Sequence, residues 1–214
     1  MEIIKLVNTL PRVFENRNDL VSEIWNKTVV LQKGRYYLVE ANSGNGKSSM
    51  LSFIYGFRND YIGDIYFDND NVADFKKRQW TLLRNNNIAL MWQELRLFPE
   101  LTAMENVMIK NSITHFQNNE KIKEWFCRLD IEDKMNVKVA KMSYGQQQRV
   151  ALIRTLCQPF DFLFLDEPVS HIDHNNALIM AQIVKEEVKK QNAALVVTSI
   201  GERLDLNYDN ILKL

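Results

Sequence analysis

The feature that most constrains this chain is one short loop: Ala41, Asn42, Ser43, Gly44, Asn45, Gly46, Lys47, Ser48 and Ser49. It follows the spacing G-x-x-x-x-G-K-[ST], with Ala41 in place of the first glycine. Just upstream, residues 35–40 (RYYLVE) read as a short strand. Just downstream, Met50, Leu51, Phe53 and Ile54 recur at helical spacing, and Gly56 offers a stop. Strand, glycine loop and helix in that order wrap backbone N–H groups and a helix N-terminus around an anion. Lys47 is expected to reach the β- and γ-phosphates of a nucleotide, and the Ser48 hydroxyl to bind Mg²⁺. A flexible Asn/Ser/Gly turn would account for the loop composition but not for its flanks. Ala41 is tolerable if its backbone avoids positive φ.

The rest of the chain alternates strand and helix signals. Residues 63–67 (GDIYF) look like a strand, with turn chemistry at 68–71. Thr102 and Glu105 fit a capping box opening a helix, and Ile122, Trp125, Phe126 and Leu129 form the apolar stripe of another. Residues 160–165 (FDFLFL) are a continuous apolar run, as in a parallel strand covered on both faces. An amphipathic helix over about 175–191 is expected to turn Ile179, Met180, Ile183 and Val188 inward. Residues 194–198 (ALVVT) supply one more buried strand. This alternation predicts an α/β fold with a helical insertion near 94–145.

Composition narrows the function classes. Lysine plus arginine equal aspartate plus glutamate at 27 each, so the chain lacks the basic excess of a dedicated nucleic-acid binder. The two cysteines, Cys127 and Cys157, lie far apart without metal-ligand spacing and are expected to be reduced thiols. No apolar run approaches the ~20 residues needed to cross a bilayer, and the start lacks a signal-peptide pattern. The chain is therefore expected to be cytosolic, with another polypeptide doing any spanning.

Two further motifs carry chemistry. The strand at 162–165 ends in Asp166 and Glu167. Asp166 is expected to hold Mg²⁺ and Glu167 to polarise an attacking water. Many strands end in charged residues, so this pair gains its meaning from the phosphate loop upstream. Ser143 and Gln146 form a capping box, so residues 142–151 (MSYGQQQRVA) open a helix whose N-terminus can face an anion.

That last segment resembles the LSGGQ signature of ATP-binding-cassette (ABC) ATPases, including its QQQRVA continuation. Trp92-Gln93 resembles the family's Q-loop, and Ser170-His171-Ile172-Asp173 its D-loop. Residues 93–102 and the QQQRVA run look most like the lipoprotein-releasing and macrolide-export ATPases. The resemblance implies a phosphate-loop NTPase with a mainly parallel core sheet, a small antiparallel β subdomain and an inserted helical subdomain. It implies a single nucleotide-binding domain over 1–214, with 1–93 and 146–214 as ATP-binding core and 94–145 as helical subdomain. It also implies a head-to-tail homodimer, or a heterodimer with another such ATPase, around two ATP. Lys47, Ser48, Gln93, Asp166 and Glu167 of one chain would face Ser143 and Gly145 of the other, with Gln93 touching Mg²⁺. A membrane permease would dock beside 93–102 on the cytoplasmic face, and no nucleic acid is expected.

Phe14 is either the base-stacking aromatic, on the first strand, or a core phenylalanine. Two departures stand out. Tyr144 replaces a signature glycine, and Ser199 occupies the position where the family places a histidine against the γ-phosphate. ATP binding with slow turnover follows, with Ser199 supplying at most a neutral hydrogen bond. The rival readings are a nucleotide-gated mechanical module acting on an envelope partner and a cassette protein acting on DNA or ribosomes.

Overall fold

The computed structural model describes residues 1–17 and 20–214. Strands β1 (Ile3–Pro11), β2 (Thr28–Gln32), β4 (Tyr61–Phe67) and β5 (Asp70–Asn71) form an antiparallel sheet in the order β2-β1-β4-β5. Strands β3 (Tyr36–Glu40), β6 (Ile88–Met91), β7 (Phe162–Asp166), β8 (Ala194–Ser199) and β9 (Asn210–Lys213) form a second sheet, ordered β6-β7-β8-β3-β9 and parallel throughout. Helix α1 (Lys47–Ile54) leaves β3 through the phosphate loop, and α2 (Lys77–Asn86) precedes β6. Between β6 and β7 the chain makes α3 (Ala103–Thr114), α4 (Asn119–Arg128) and α5 (Tyr144–Leu156); α6 (His174–Lys190) returns it to β8.

The parallel sheet divides the core in two because its side chains alternate. Ala89, Met91, Leu163, Leu165, Leu195 and Val197 pack to one side with α4, α5 and α6. Ile88, Leu90, Phe162, Phe164, Ala194 and Val196 pack to the other, against α1 and the antiparallel sheet. Every residue of β7 and β8 is buried, which explains their unbroken apolar runs. β7 begins two residues later than its apolar run. Phe160 gives its N–H to the Gln191 side chain, and the Asp161 carboxylate takes Lys33, Asn87 and the Met1 amine.

The expected caps are present. Thr102 and Glu105 close a capping box on α3, as do Ser143 and Gln146 on α5. Ile122, Trp125, Phe126 and Leu129 are all fully buried. Phe14 departs from expectation, lying in a short turn of 3-10 helix, Arg12–Phe14, rather than on β1. Pro11 ends the strand because it has no N–H with which to extend the ladder.

Candidate nucleotide-binding site

The phosphate loop is shaped by two glycines and held from beneath by two rings. Gly44 and Gly46 have φ of 85° and 93°, a region costly for any residue with a Cβ. A Cβ on Gly46 would stand 3.0 Å from the Phe14 ring and 3.1 Å from that of Trp25, so the loop backbone lies directly on both. The Trp25 indole donates to the Asn45 carbonyl at 3.0 Å, and the Asn45 amide donates to the Leu214 carbonyl at 3.0 Å. Ala41 is not among the residues of positive φ. Lys47 curls under the loop, donating to the carbonyls of Ala41 (2.9 Å) and Asn42 (3.3 Å) and standing 3.5 Å from Glu167 Oε1.

The parallel register brings the acidic pair to this loop. Asp166 pairs with Thr198 across β7 and β8. Its Oδ2 accepts from the Ser48 hydroxyl at 2.8 Å and its Oδ1 from the Thr198 hydroxyl at 2.6 Å. Burial pushes the Asp166 carboxyl above its ordinary pKa, against the opposing pull of the two hydroxyls and the Lys47 charge. Glu167 sits in the left-handed region at φ 49°, its N–H donating to the Thr198 carbonyl at 3.2 Å. The Gln93 amide donates to Glu167 Oε2 at 3.1 Å, and the Gln148 amide to the Glu167 carbonyl at 3.2 Å. Lys47, Ser48, Gln93 and Glu167 border a cleft of about 400 Å³ that also takes in Phe14, Ser43, Ser49, Val13 and Ile200. A larger cavity of about 530 Å³ lies apart from this chemistry, among Phe53, Tyr61, Phe75 and Trp80.

Lys47, Ser48, Gln93, Asp166 and Glu167 thus converge. Ser143, Gly145 and Gln146 do not line that cleft. Ser143 is spent on capping α5, and a Cβ on Gly145 would meet the His171 carbonyl at 2.9 Å. Asp173 caps α6. Tyr144 uses the space a glycine would leave empty: its hydroxyl donates to the Gln93 carbonyl at 2.7 Å, and its ring meets His171 edge-on at 4.6 Å. Ser199 does not line that cleft. Its hydroxyl donates to the Glu202 carbonyl at 2.6 Å and accepts from the Gly201 N–H at 2.9 Å, and the residue is 2% exposed. The next residue, Ile200, reaches the cleft and is 51% exposed.

Two site residues escaped the sequence reading, Thr198 and Gln148. For Thr198 a signal existed: a hydroxyl at the end of one buried parallel strand, beside the acidic end of another. Nothing local distinguishes Gln148 from its neighbours in the glutamine run.

A phosphate loop on a parallel sheet, an Asp-Glu strand end and a separately capped signature helix together define a nucleotide-hydrolysing cassette. The family model described as ABC transporter matches residues 26–170. The chain belongs to that family and is an ATP-binding, ATP-hydrolysing transporter subunit. Among its relatives, the aliphatic sulfonates import ATP-binding protein SsuB of Bacillus cereus is 31% identical, over 94% of this chain and 77% of that one. The lipoprotein-releasing system ATP-binding protein LolD of Legionella pneumophila is 27% identical, over 100% and 95%. The dimeric post-hydrolysis structure of the cassette MJ0796 with ADP and Pi, a protein of Methanocaldococcus jannaschii, superposes with a TM-score of 0.76. That match has 25% identity and covers 93% of this chain and 88% of the other.

Proposed function

We propose that two copies of this chain, or one copy and a related ATPase, close head to tail around two Mg-ATP and drive a membrane permease. The observation that carries this reading is the split of the site. The phosphate loop, Gln93 and Glu167 border one cleft and Asp166 accepts from Ser48 beside it, while the capped N-terminus of α5 does not line it and Ser143 is exposed. A capped helix N-terminus that lies outside its own chain's cleft is suited to the γ-phosphate bound by a partner. That the cassette MJ0796 was solved as a dimer supports pairing of two such chains.

In the ATP state Lys47 would leave the Ala41 and Asn42 carbonyls for the β- and γ-phosphates, and the loop N–H groups would take the remaining oxygens. The residues fit Mg²⁺. Among the described residues no cluster of three His, Cys, Asp or Glu could hold a metal by itself. One hydroxyl (Ser48), one carboxylate (Asp166) and an amide (Gln93) suit a hard cation that takes its other ligands from phosphate and water. When bound, the ion screens phosphate charge. Glu167, fixed by Gln93 and by its strained backbone, accepts a proton from the attacking water. In this scheme 1–93 and 146–214 form the ATP-binding core, 94–145 the helical subdomain, and the chain lies peripherally on the cytoplasmic face. Phe14 supports the loop from below and is the candidate for stacking on the base.

Glu167→Gln tests this reading. With saturating Mg-ATP the variant is expected to sediment as a stable dimer with hydrolysis reduced about 10²–10⁴-fold; a chain that stays monomeric sinks the composite site.

Turnover is slow in this reading, because the Ser199 hydroxyl is engaged by its own turn rather than by phosphate. Loss of one preorganised contact costs about 3–4 kcal/mol, or ~10²–10³ in rate. Ser199→His is expected to raise kcat at matched nucleotide affinity, with Ser199→Ala as the control for opening the turn. No gain over that control removes this account. The same observation favours a second reading, a nucleotide-gated mechanical module, separable by comparing ATPase rates with and without the membrane partner.

A further inference from the structure

Tyr144 stands in the first turn of α5, and three contacts tie the start of that helix to the segment leaving β7. The Tyr144 ring meets His171 edge-on, with centroids 4.6 Å apart. The Gly145 backbone lies against the His171 carbonyl, where an added Cβ would come within 2.9 Å. One turn further on, the Gln148 amide donates to the Glu167 carbonyl at 3.2 Å. Residues 144 and 148 are four apart and share a helix face. That face holds the main chain of residues 167–171 at both ends.

The Tyr144 hydroxyl adds a second route to Glu167. It donates to the Gln93 carbonyl at 2.7 Å, and the amide of the same Gln93 donates to Glu167 Oε2 at 3.1 Å. Gln93 lies just beyond β6 in a stretch without a ladder, followed by Leu95 and Arg96 at φ of 58° and 49°. Among the described residues its carbonyl has no other hydrogen bond, so the hydroxyl is the tie on this main chain. Partial burial, then the charges of Glu94 and Glu167, hold the phenol above its ordinary pKa, and it stays a donor. The other described partner of the Glu167 carboxylate is Lys47, at 3.5 Å. Once Lys47 turns to phosphate, Gln93 alone orients that carboxylate. A glycine at position 144 could make neither the ring contact nor the hydroxyl bond.

We propose that Tyr144 is a positioning residue for hydrolysis: its hydroxyl fixes the Gln93 main chain so that the Gln93 amide keeps Glu167 aimed within the same chain's cleft. This rests on the reading of Glu167 as base above, and adds to it the group that sets the base. The start of α5 then serves two sites. Ser143 faces the partner's nucleotide in that reading, whereas Tyr144 acts on its own chain. A base displaced by a fraction of an ångström loses rate without loss of substrate binding, so the hydroxyl bears on turnover rather than on affinity.

Tyr144→Phe in the full chain keeps the ring on His171 and removes only the hydroxyl. It is expected to lower kcat about fivefold to tenfold, with KM for ATP unchanged within about twofold. In a Gln93→Ala background the same substitution should have no further effect, because the hydroxyl has lost its route to Glu167. Dimers assembled from two differently tagged chains, one of them carrying Lys47→Ala, separate action on the own chain from action on the partner. The rate should fall only when Tyr144→Phe lies on the chain with the intact phosphate loop. An unchanged or raised kcat, a KM that rises as kcat falls, an additive loss with Gln93→Ala, or the opposite pattern in the mixed dimers overturns the proposal. Glu167→Gln is measured beside these variants. Wild-type turnover there removes the reading of Glu167 as base and the proposal with it; an inactive Glu167→Gln beside an unaffected Tyr144→Phe removes the proposal alone.

Discussion

At the scale of single residues, the nucleotide site is a balance between burial and hydrogen bonding. Asp166 accepts from Ser48 and Thr198, yet burial prevails and its carboxyl is held above its ordinary pKa. A raised folded-state pKa favours the protonated form. Its contribution to stability is therefore present at low pH and lost as pH rises through the raised value. At neutral pH the nucleotide-free chain carries this carboxylate at a cost. Asp166→Asn, a neutral isostere, should raise the melting temperature of the nucleotide-free protein by about 2–4 °C, the shift produced by ~1 kcal/mol in a chain of this size. The difference should shrink as pH falls, and melts of both proteins across pH provide the check. Lys47, Ser48 and Glu167 were readable as a motif. The Tyr144 hydroxyl on the Gln93 carbonyl was not, because a bond between residues 51 positions apart has no local signature.

At the scale of elements, periodicity was legible wherever an element buries a full face. The continuous runs of β7 and β8 and the stripe of α4 are of that kind. α6 shows Met180, Ile183 and Val188 inward, with Ile179 half-buried at the margin. α2 buries none of its residues fully, and only Trp80 and Leu83 lean on the core, so its helical period is short and weakly marked. β9 is an edge strand with no buried residue and is equally silent. Between β6 and α3 the chain has no regular ladder, and one side chain replaces it. Asn106, fully buried, accepts from the Phe98 N–H at 2.8 Å and donates to the carbonyls of Phe98 and Thr102, each at 3.0 Å. Asn106→Leu keeps the branching at Cγ and strands those backbone groups, a loss of about 1–3 kcal/mol for an unpaired buried donor. Amide exchange should accelerate at Phe98 by about tenfold or more, while β7 and β8 keep their protection. Equal acceleration in the core strands would mean that Asn106 supports the whole fold rather than this segment.

At the scale of the whole molecule, the parallel sheet carries the phosphate loop and the acidic pair at one end, while α5 projects its own N-terminus elsewhere. Complementation tests whether two chains complete each other. Ser143→Asp retains a good N-cap for α5 but sets a negative charge against the partner's γ-phosphate. Lys47→Ala removes the phosphate contact in its own cleft. Each variant alone should be inactive. Mixed one to one, half of the dimers would carry one intact site, so about a quarter of wild-type activity is expected if the sites act independently. No recovery on mixing, with dimers confirmed by sedimentation, would speak against the head-to-tail arrangement.

The sequence by itself determined the features written in contiguous residues: the phosphate loop, the capping boxes of α3 and α5, and the buried strand ending in Asp166 and Glu167. Those depend on local backbone geometry and on periods of a few residues. Only the tertiary structure decided what the Ser199 hydroxyl bonds, that Thr198 shares Asp166 with Ser48, and that Arg84, Arg96, Lys110 and Arg154 come together near Tyr55 and Trp92. The reason is register and distance. A shift of one residue along a strand exchanges its two faces, and cations scattered over 70 positions become neighbours only when α2, α3 and α5 pack around the end of β6.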